Sequence, residues 1–101
     1  MENFVKVANE NDLNPGKGLV VNVNGEEVAL FSVDGDVYAI SNSCPHRNGP
    51  LGEGILEDEI VTCPLHGWQF NVRTGESPLM PARVSCYKVK VENGEIFVSL
   101  G

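Results

Sequence analysis

Positive charge is scarce in this sequence: seven Lys and Arg stand against fourteen Asp and Glu, for a net charge of −7. Nucleic-acid binding depends on Lys and Arg clustered against phosphate, so that class of function is excluded. No apolar run approaches the roughly 18 residues of a membrane span. The opening Met1-Glu2-Asn3-Phe4 also lacks the basic and apolar segments of a secretory signal. The expectation is a cytoplasmic protein with no membrane partner. No Gly-x-Gly-x-x-Gly segment joins a strand to a helix, so nothing points to a dinucleotide site. Cysteines number three, an odd count that poorly suits a disulfide framework in a chain without an export signal. Sustained helical periodicity, internal repeats and low-complexity tracts are also missing.

What is present reads as one compact domain over residues 1–101. The chain can bury a modest core but is too short for a second catalytic unit. Three hairpin signals, Asn24-Gly25, Asp34-Gly35 and Asn93-Gly94, are each flanked by β-branched and apolar residues and imply antiparallel sheet. Strands are predicted at Phe4 to Ala8, Leu19 to Val23, Glu26 to Val33, Asp36 to Ile40, Val84 to Glu92 and Glu95 to Leu100, with one short turn within Asn11 to Pro15. The middle, about 42–80, has a different texture. It holds four of the six prolines and several glycines, and its short strands Ile55 to Glu57 and Ile60 to Thr62 join around Asp58-Glu59. It reads as a small subdomain inserted in an all-β frame. The acids concentrated in turns make a solvated surface, and they could also steer the protein onto a basic partner.

The informative residues are Cys44-Pro45-His46 and, after 16 intervening residues, Cys63-Pro64-Leu65-His66. Each segment offers one thiolate and one imidazole, and the two histidines are the only ones in the chain. A mononuclear zinc site is the rival reading, since sulfur and nitrogen ligands also suit Zn²⁺. Zinc fingers, however, usually take their ligands in like pairs. Mixed, duplicated pairs make sense for a two-iron cluster clamped between two loops, with Cys44 and Cys63 on one iron and His46 and His66 on the other. Cys86, in Arg83-Val84-Ser85-Cys86-Tyr87, lies apart, and strand alternation predicts a buried, inert thiol.

Cys44-x-His46 and Cys63-x₂-His66-Gly67-Trp68 resemble the Rieske family. The longer segments Cys44 to Leu51 and Val61 to Phe70 are similar to soluble Rieske ferredoxins and to the small subunit of assimilatory nitrite reductase. The resemblance implies one [2Fe–2S] cluster on Cys44, His46, Cys63 and His66. It also implies an all-β fold of three antiparallel sheets, with the cluster at the tip of the inserted subdomain. Ser77-Pro78-Leu79-Met80-Pro81 resembles the proline-bearing loop that covers the cluster in such proteins. The implied role is electron transfer from an NAD(P)H-dependent reductase to a terminal oxygenase or, alternatively, service beside a nitrite reductase large subunit. Self-contained oxygenation would need a second iron held by two further histidines, and none are left.

High-potential members of the family carry an extra cysteine in each cluster loop, where this sequence has Gly49 and Leu65. They also carry a serine and a tyrosine whose hydroxyls donate to cluster and ligand sulfur, where Trp68 and Phe70 stand here. Both aromatics also suit apolar packing beneath the subdomain. Without those donors added electron density is less stabilised, so the expected potential lies near the low end of the Rieske range, about −150 mV. Voltammetry on Trp68→Ser and Phe70→Tyr tests this reading. A higher potential is expected, and no rise in either variant would contradict the hydrogen-bond account.

Overall fold

The computed structural model describes residues 4–13, 16–42, 50–64, 67–78 and 81–99. Among them nine strands run in chain order: β1 (Val5–Asn9), β2 (Leu19–Val23), β3 (Glu26–Val33), β4 (Asp36–Ser41), β5 (Ile55–Glu57), β6 (Ile60–Thr62), β7 (Gln69–Asn71), β8 (Cys86–Glu92) and β9 (Glu95–Ser99). Single 3-10 turns occupy Glu10–Asp12 and Leu51–Glu53. The turn expected within Asn11 to Pro15 falls slightly earlier, and Asn14 and Pro15 lie outside the described residues. Of the strands, only β7 escaped the sequence reading.

Each of the three hairpin signals forms a tight turn with both central residues at positive φ: Asn24 and Gly25 at 52° and 92°, Asp34 and Gly35 at 50° and 87°, Asn93 and Gly94 at 51° and 78°. That conformation matches the right-handed twist of the flanking strands. The antiparallel pairs β2–β3, β3–β4 and β8–β9 follow directly. β1 adds to β9 with a bulge between Lys6 and Ala8. A narrow seam, Ala39 opposite Tyr87 and Ile40 opposite Cys86, joins the two halves into one sheet of order β1-β9-β8-β4-β3-β2. Its edge strands β1 and β2 approach each other, so the sheet nearly closes. The three expected sheets are therefore two three-stranded halves meeting at this seam and a separate sheet β5-β6-β7.

The run Val28-Ala29-Leu30-Phe31 is buried without interruption, although strand alternation alone would expose every second residue. Both faces of β3 are covered. Val28 and Leu30 join Val23, Ala39, Ile96 and Val98 in one apolar cluster. Ala29 and Phe31 join Ile40, Leu51, Leu56, Val61, Phe70 and Val84 in the other. The small sheet supplies the cover on that second face. Its register sets Leu56 opposite Val61 and Val61 opposite Phe70, a row of three buried side chains across three strands. Burying a side chain of this size contributes about 1.5–3 kcal/mol, so the row is a substantial share of what docks the small sheet. Gly54 lets β5 enter beside β6: a Cβ there would lie 2.1 Å from the Thr62 carbonyl oxygen.

Polar contacts tie the far end of the small sheet. Glu59, in the β5–β6 turn, accepts from Asn71 Nδ2 at 2.9 Å and from Arg73 at 3.3 Å. The Arg73 guanidinium also sits over the Tyr38 ring of β4, 5.7 Å from its centre. The bonds from Asn71 and Arg73 hold the Glu59 carboxyl below the usual carboxylate range. A lowered pKa means that this contribution to stability is present above the unfolded-state value and lost as pH falls through the folded one. Thermal melts from pH 5 to pH 3 should therefore show a steeper loss in the native protein than in Glu59→Gln. Parallel acid limbs would remove Glu59 from the account.

Candidate metal centre

β6 ends at Thr62, and Cys63 follows as the chain turns toward β7. The Cys63 N–H donates to the Trp68 carbonyl at 2.7 Å, and the Cys63 carbonyl accepts from the Gly67 N–H at 3.1 Å. Gly67 supports this closure with φ at +72°. Cys63 is only 3% exposed and belongs to the same apolar cluster as Val61 and Phe70. Phe70 is fully buried. Trp68 is half-buried with its ring centre 6.5 Å from that of Phe70, which places the two aromatics as the packing role anticipated.

Cys63 carries a free thiol. It lines a hollow of about 350 Å³ together with Glu53, Gly54, Ile55, Thr62, Pro64 and Gly67. Another hollow, of about 450 Å³, lies at the opposite end of the small sheet beside Asp34, Asp58 and Glu59 and contains neither thiol nor imidazole. Of the four candidate ligands the structure describes Cys63 alone; Cys44, His46 and His66 lie outside the described residues. Leu79 and Met80 of the proline-bearing segment do so as well.

Three segments of the expected subdomain are gripped at their bases by backbone hydrogen bonds. Leu51 N–H donates to the Asn42 carbonyl at 2.8 Å, bringing together the two ends of 43–50. The Cys63–Trp68 bond does the same around His66, and Ser77 N–H to the Ala82 carbonyl at 2.9 Å does so around Leu79 and Met80. A buried free thiol beside a hollow, fixed through its own amide and carbonyl, suits a thiolate ligand to iron. Among the described residues no group of three or more His, Cys, Asp or Glu forms a competing site.

Cys86 corrects one expectation. It is exposed, not buried. β8 alternates weakly because only its Tyr87 and Val89 pack against the sheet's apolar cluster. Its sulfur nevertheless faces the Arg73 carbonyl at 4.0 Å and the Cα of Gly75, where an added Cβ would lie 2.9 Å away. Partial burial pushes its pKa up, which lowers the thiolate fraction near neutral pH.

The family model for the Rieske [2Fe-2S] domain matches residues 3–93. The ferredoxin component of the naphthalene 1,2-dioxygenase/salicylate 5-hydroxylase systems of Ralstonia sp. is 35% identical over 101 residues, covering 98% of this chain and 97% of that one. In a solved complex of oxygenase and ferredoxin of carbazole 1,9a-dioxygenase, one chain superposes with a TM-score of 0.86 at 32% identity, covering 95% of this chain and 92% of that chain. A Mycobacterium tuberculosis protein described as an NADH-dependent nitrite reductase small subunit superposes with a TM-score of 0.90 at 28% identity, covering 98% and 96%.

Iron analysis on two single variants separates the cysteines. Cys63→Ser is expected to lose its iron and Cys86→Ser to retain the native content; equal contents would contradict the placement of the centre.

Proposed function

The chain belongs to the Rieske [2Fe–2S] domain family, and we propose that it works as a ferredoxin, carrying single electrons from an NAD(P)H-dependent reductase to a terminal oxygenase. The observation that carries this reading is the end-to-end likeness to a dioxygenase ferredoxin component. The relatives it matches along most of their length are named as ferredoxin components of dioxygenase systems, so the chain is read as an electron-transfer component and not itself an enzyme.

In this reading the whole chain is one Rieske domain, and residues of about 42–80 form its cluster-binding subdomain. Cys44 and Cys63 hold one iron as thiolates, and His46 and His66 hold the other through imidazole nitrogen. The cluster supplies a reversible one-electron change. Cys63, the candidate donor described, is held in place: its amide and carbonyl are both engaged, and the strand before it belongs to a buried row. Donors that do not move between redox states keep the reorganisation on electron transfer small. The excess of acidic residues favours encounter with a partner that presents basic groups. No helix among the described residues is long and apolar enough to cross a membrane, and a cytoplasmic location fits a carrier fed by a nicotinamide-dependent reductase.

A second reading, small subunit of a nitrite reductase, rests on the superposition with the Mycobacterium tuberculosis protein. Isolated protein is expected to be red-brown, to contain equimolar iron and acid-labile sulfide, and to show a paramagnetic signal on reduction. Rapid reduction by an NAD(P)H-dependent reductase, followed by reoxidation by a terminal oxygenase, completes the test. Zinc as the sole metal would contradict the cluster, and reoxidation only by a nitrite reductase large subunit would favour the second reading.

A further inference from the structure

We propose that Gly54 is a positioning residue for Cys63: the absence of a side chain at Gly54 sets where the Thr62–Cys63 peptide lies, and with it the thiol. The proposal rests on the cluster reading above. Gly54 closes the turn Leu51–Glu53 and leads into β5. Its φ of −76° and ψ of 179° are open to any residue, so backbone freedom does not account for a glycine there. The approach of β6 does. A Cβ on Gly54 would collide with the Thr62 carbonyl oxygen and lie 3.1 Å from the Thr62 carbonyl carbon, the atom bonded to the Cys63 nitrogen.

Strand pairing explains the closeness. Ile55 stands opposite Thr62 and Leu56 opposite Val61, and one further step of that register sets Gly54 opposite Cys63. Both residues line the same hollow. Among the described glycines, Gly54 is the one whose missing side chain would meet the main chain next to a candidate ligand.

An added methyl group finds no room on the other side. The same Cβ would lie 3.2 Å from the Leu51 carbonyl oxygen, which already accepts from the Gly54 N–H at 3.0 Å. Leu51 is fully buried, and the Gly52 N–H donates to the Asn42 side-chain oxygen at 2.7 Å, so the turn has little space to draw back. Val61, earlier on β6, is fully buried as well. The displacement therefore falls on the end of the strand, where Thr62 passes to Cys63. Moving that peptide disturbs both main-chain bonds of Cys63, from its N–H to the Trp68 carbonyl and from Gly67 N–H to its own carbonyl. A ligand shifted with its main chain alters the electronic structure of a cluster as well as its retention.

The test has two arms. In the protein as isolated, the Cys63 and Gly67 amides are expected to be protected from hydrogen exchange. In Gly54→Ala they are expected to exchange faster by about tenfold or more relative to the amides of β3, the local effect of an overpacked site. In loaded protein, Gly54→Ala is expected to shift the g values of the reduced cluster and to speed its loss to chelator. Val98→Ala, which opens a cavity in the other apolar cluster, is expected to lower thermal stability but leave the g values native. If Gly54→Ala does not fold, the double variant Gly54→Ala with Thr62→Gly, whose freer backbone lets the peptide yield, serves in both arms against Thr62→Gly alone. Unprotected Cys63 and Gly67 amides in the native chain would overturn the proposal, as would unchanged exchange or native g values and retention in the folded Gly54 variant. A native protein without a reduced-cluster signal would overturn the cluster reading instead, while the exchange arm still decides whether Gly54 sets the position of Cys63.

Discussion

β3 and β4 are covered on both faces, and the placement of Cys63 depends on that double burial. On one side Val28, Leu30 and Ala39 close the interior of the large sheet; on the other, Ala29, Phe31 and Ile40 form the floor on which the small sheet rests. Leu56, Val61 and Phe70 pack down onto that floor as a single cross-strand row, and Cys63 is the next buried residue after Val61 on the same strand path. Period-two alternation then fixes where the thiol lies. A one-residue slip of β6 against β5 or β7 would turn Val61 outward and carry Cys63 away from the apolar cluster. The position of the candidate ligand is thus set by hydrophobic packing more than by polar contacts around the ligand.

Three backbone bonds, from Leu51 N–H to the Asn42 carbonyl, Cys63 N–H to the Trp68 carbonyl and Ser77 N–H to the Ala82 carbonyl, draw separate points of the chain together around the small sheet. The Glu59–Arg73–Tyr38 contacts lie at the opposite end of the small sheet and are largely exposed, so their contribution to stability is small.

Much of this was legible in the residues themselves. Asn-Gly and Asp-Gly dipeptides permit few conformations between β-branched flanks, so the turns at Asn24, Asp34 and Asn93 and the strands around them could be read with little error. β7 could not: three residues of Gln-Phe-Asn carry no alternation signal, and what makes them a strand is the edge of β6 and the pocket awaiting Phe70. Cys86 misled for a related reason. Alternation tells which residues share a face, but not whether anything covers that face, and nothing in the sequence around Cys86 distinguishes a covered strand from an open one. Of the site, the mixed Cys-His pairs were plain from spacing. The burial of Cys63 and the buried bond between Asn42 and Gly52 were not, since both arise from tertiary packing.

The account turns on both histidines bonding to a single iron while the cysteines bond to its neighbour. With His46 and His66 the only imidazoles in the chain, uniform ¹⁵N-histidine labelling places the label nowhere else. Electron–nuclear double resonance on the reduced, labelled protein is the most direct measurement. Two inequivalent, strongly coupled ¹⁵N nuclei are expected, and both should vanish when the label is moved to any other amino acid. A reduced protein whose spectrum shows no strong ¹⁵N coupling would contradict the ligand assignment at its root.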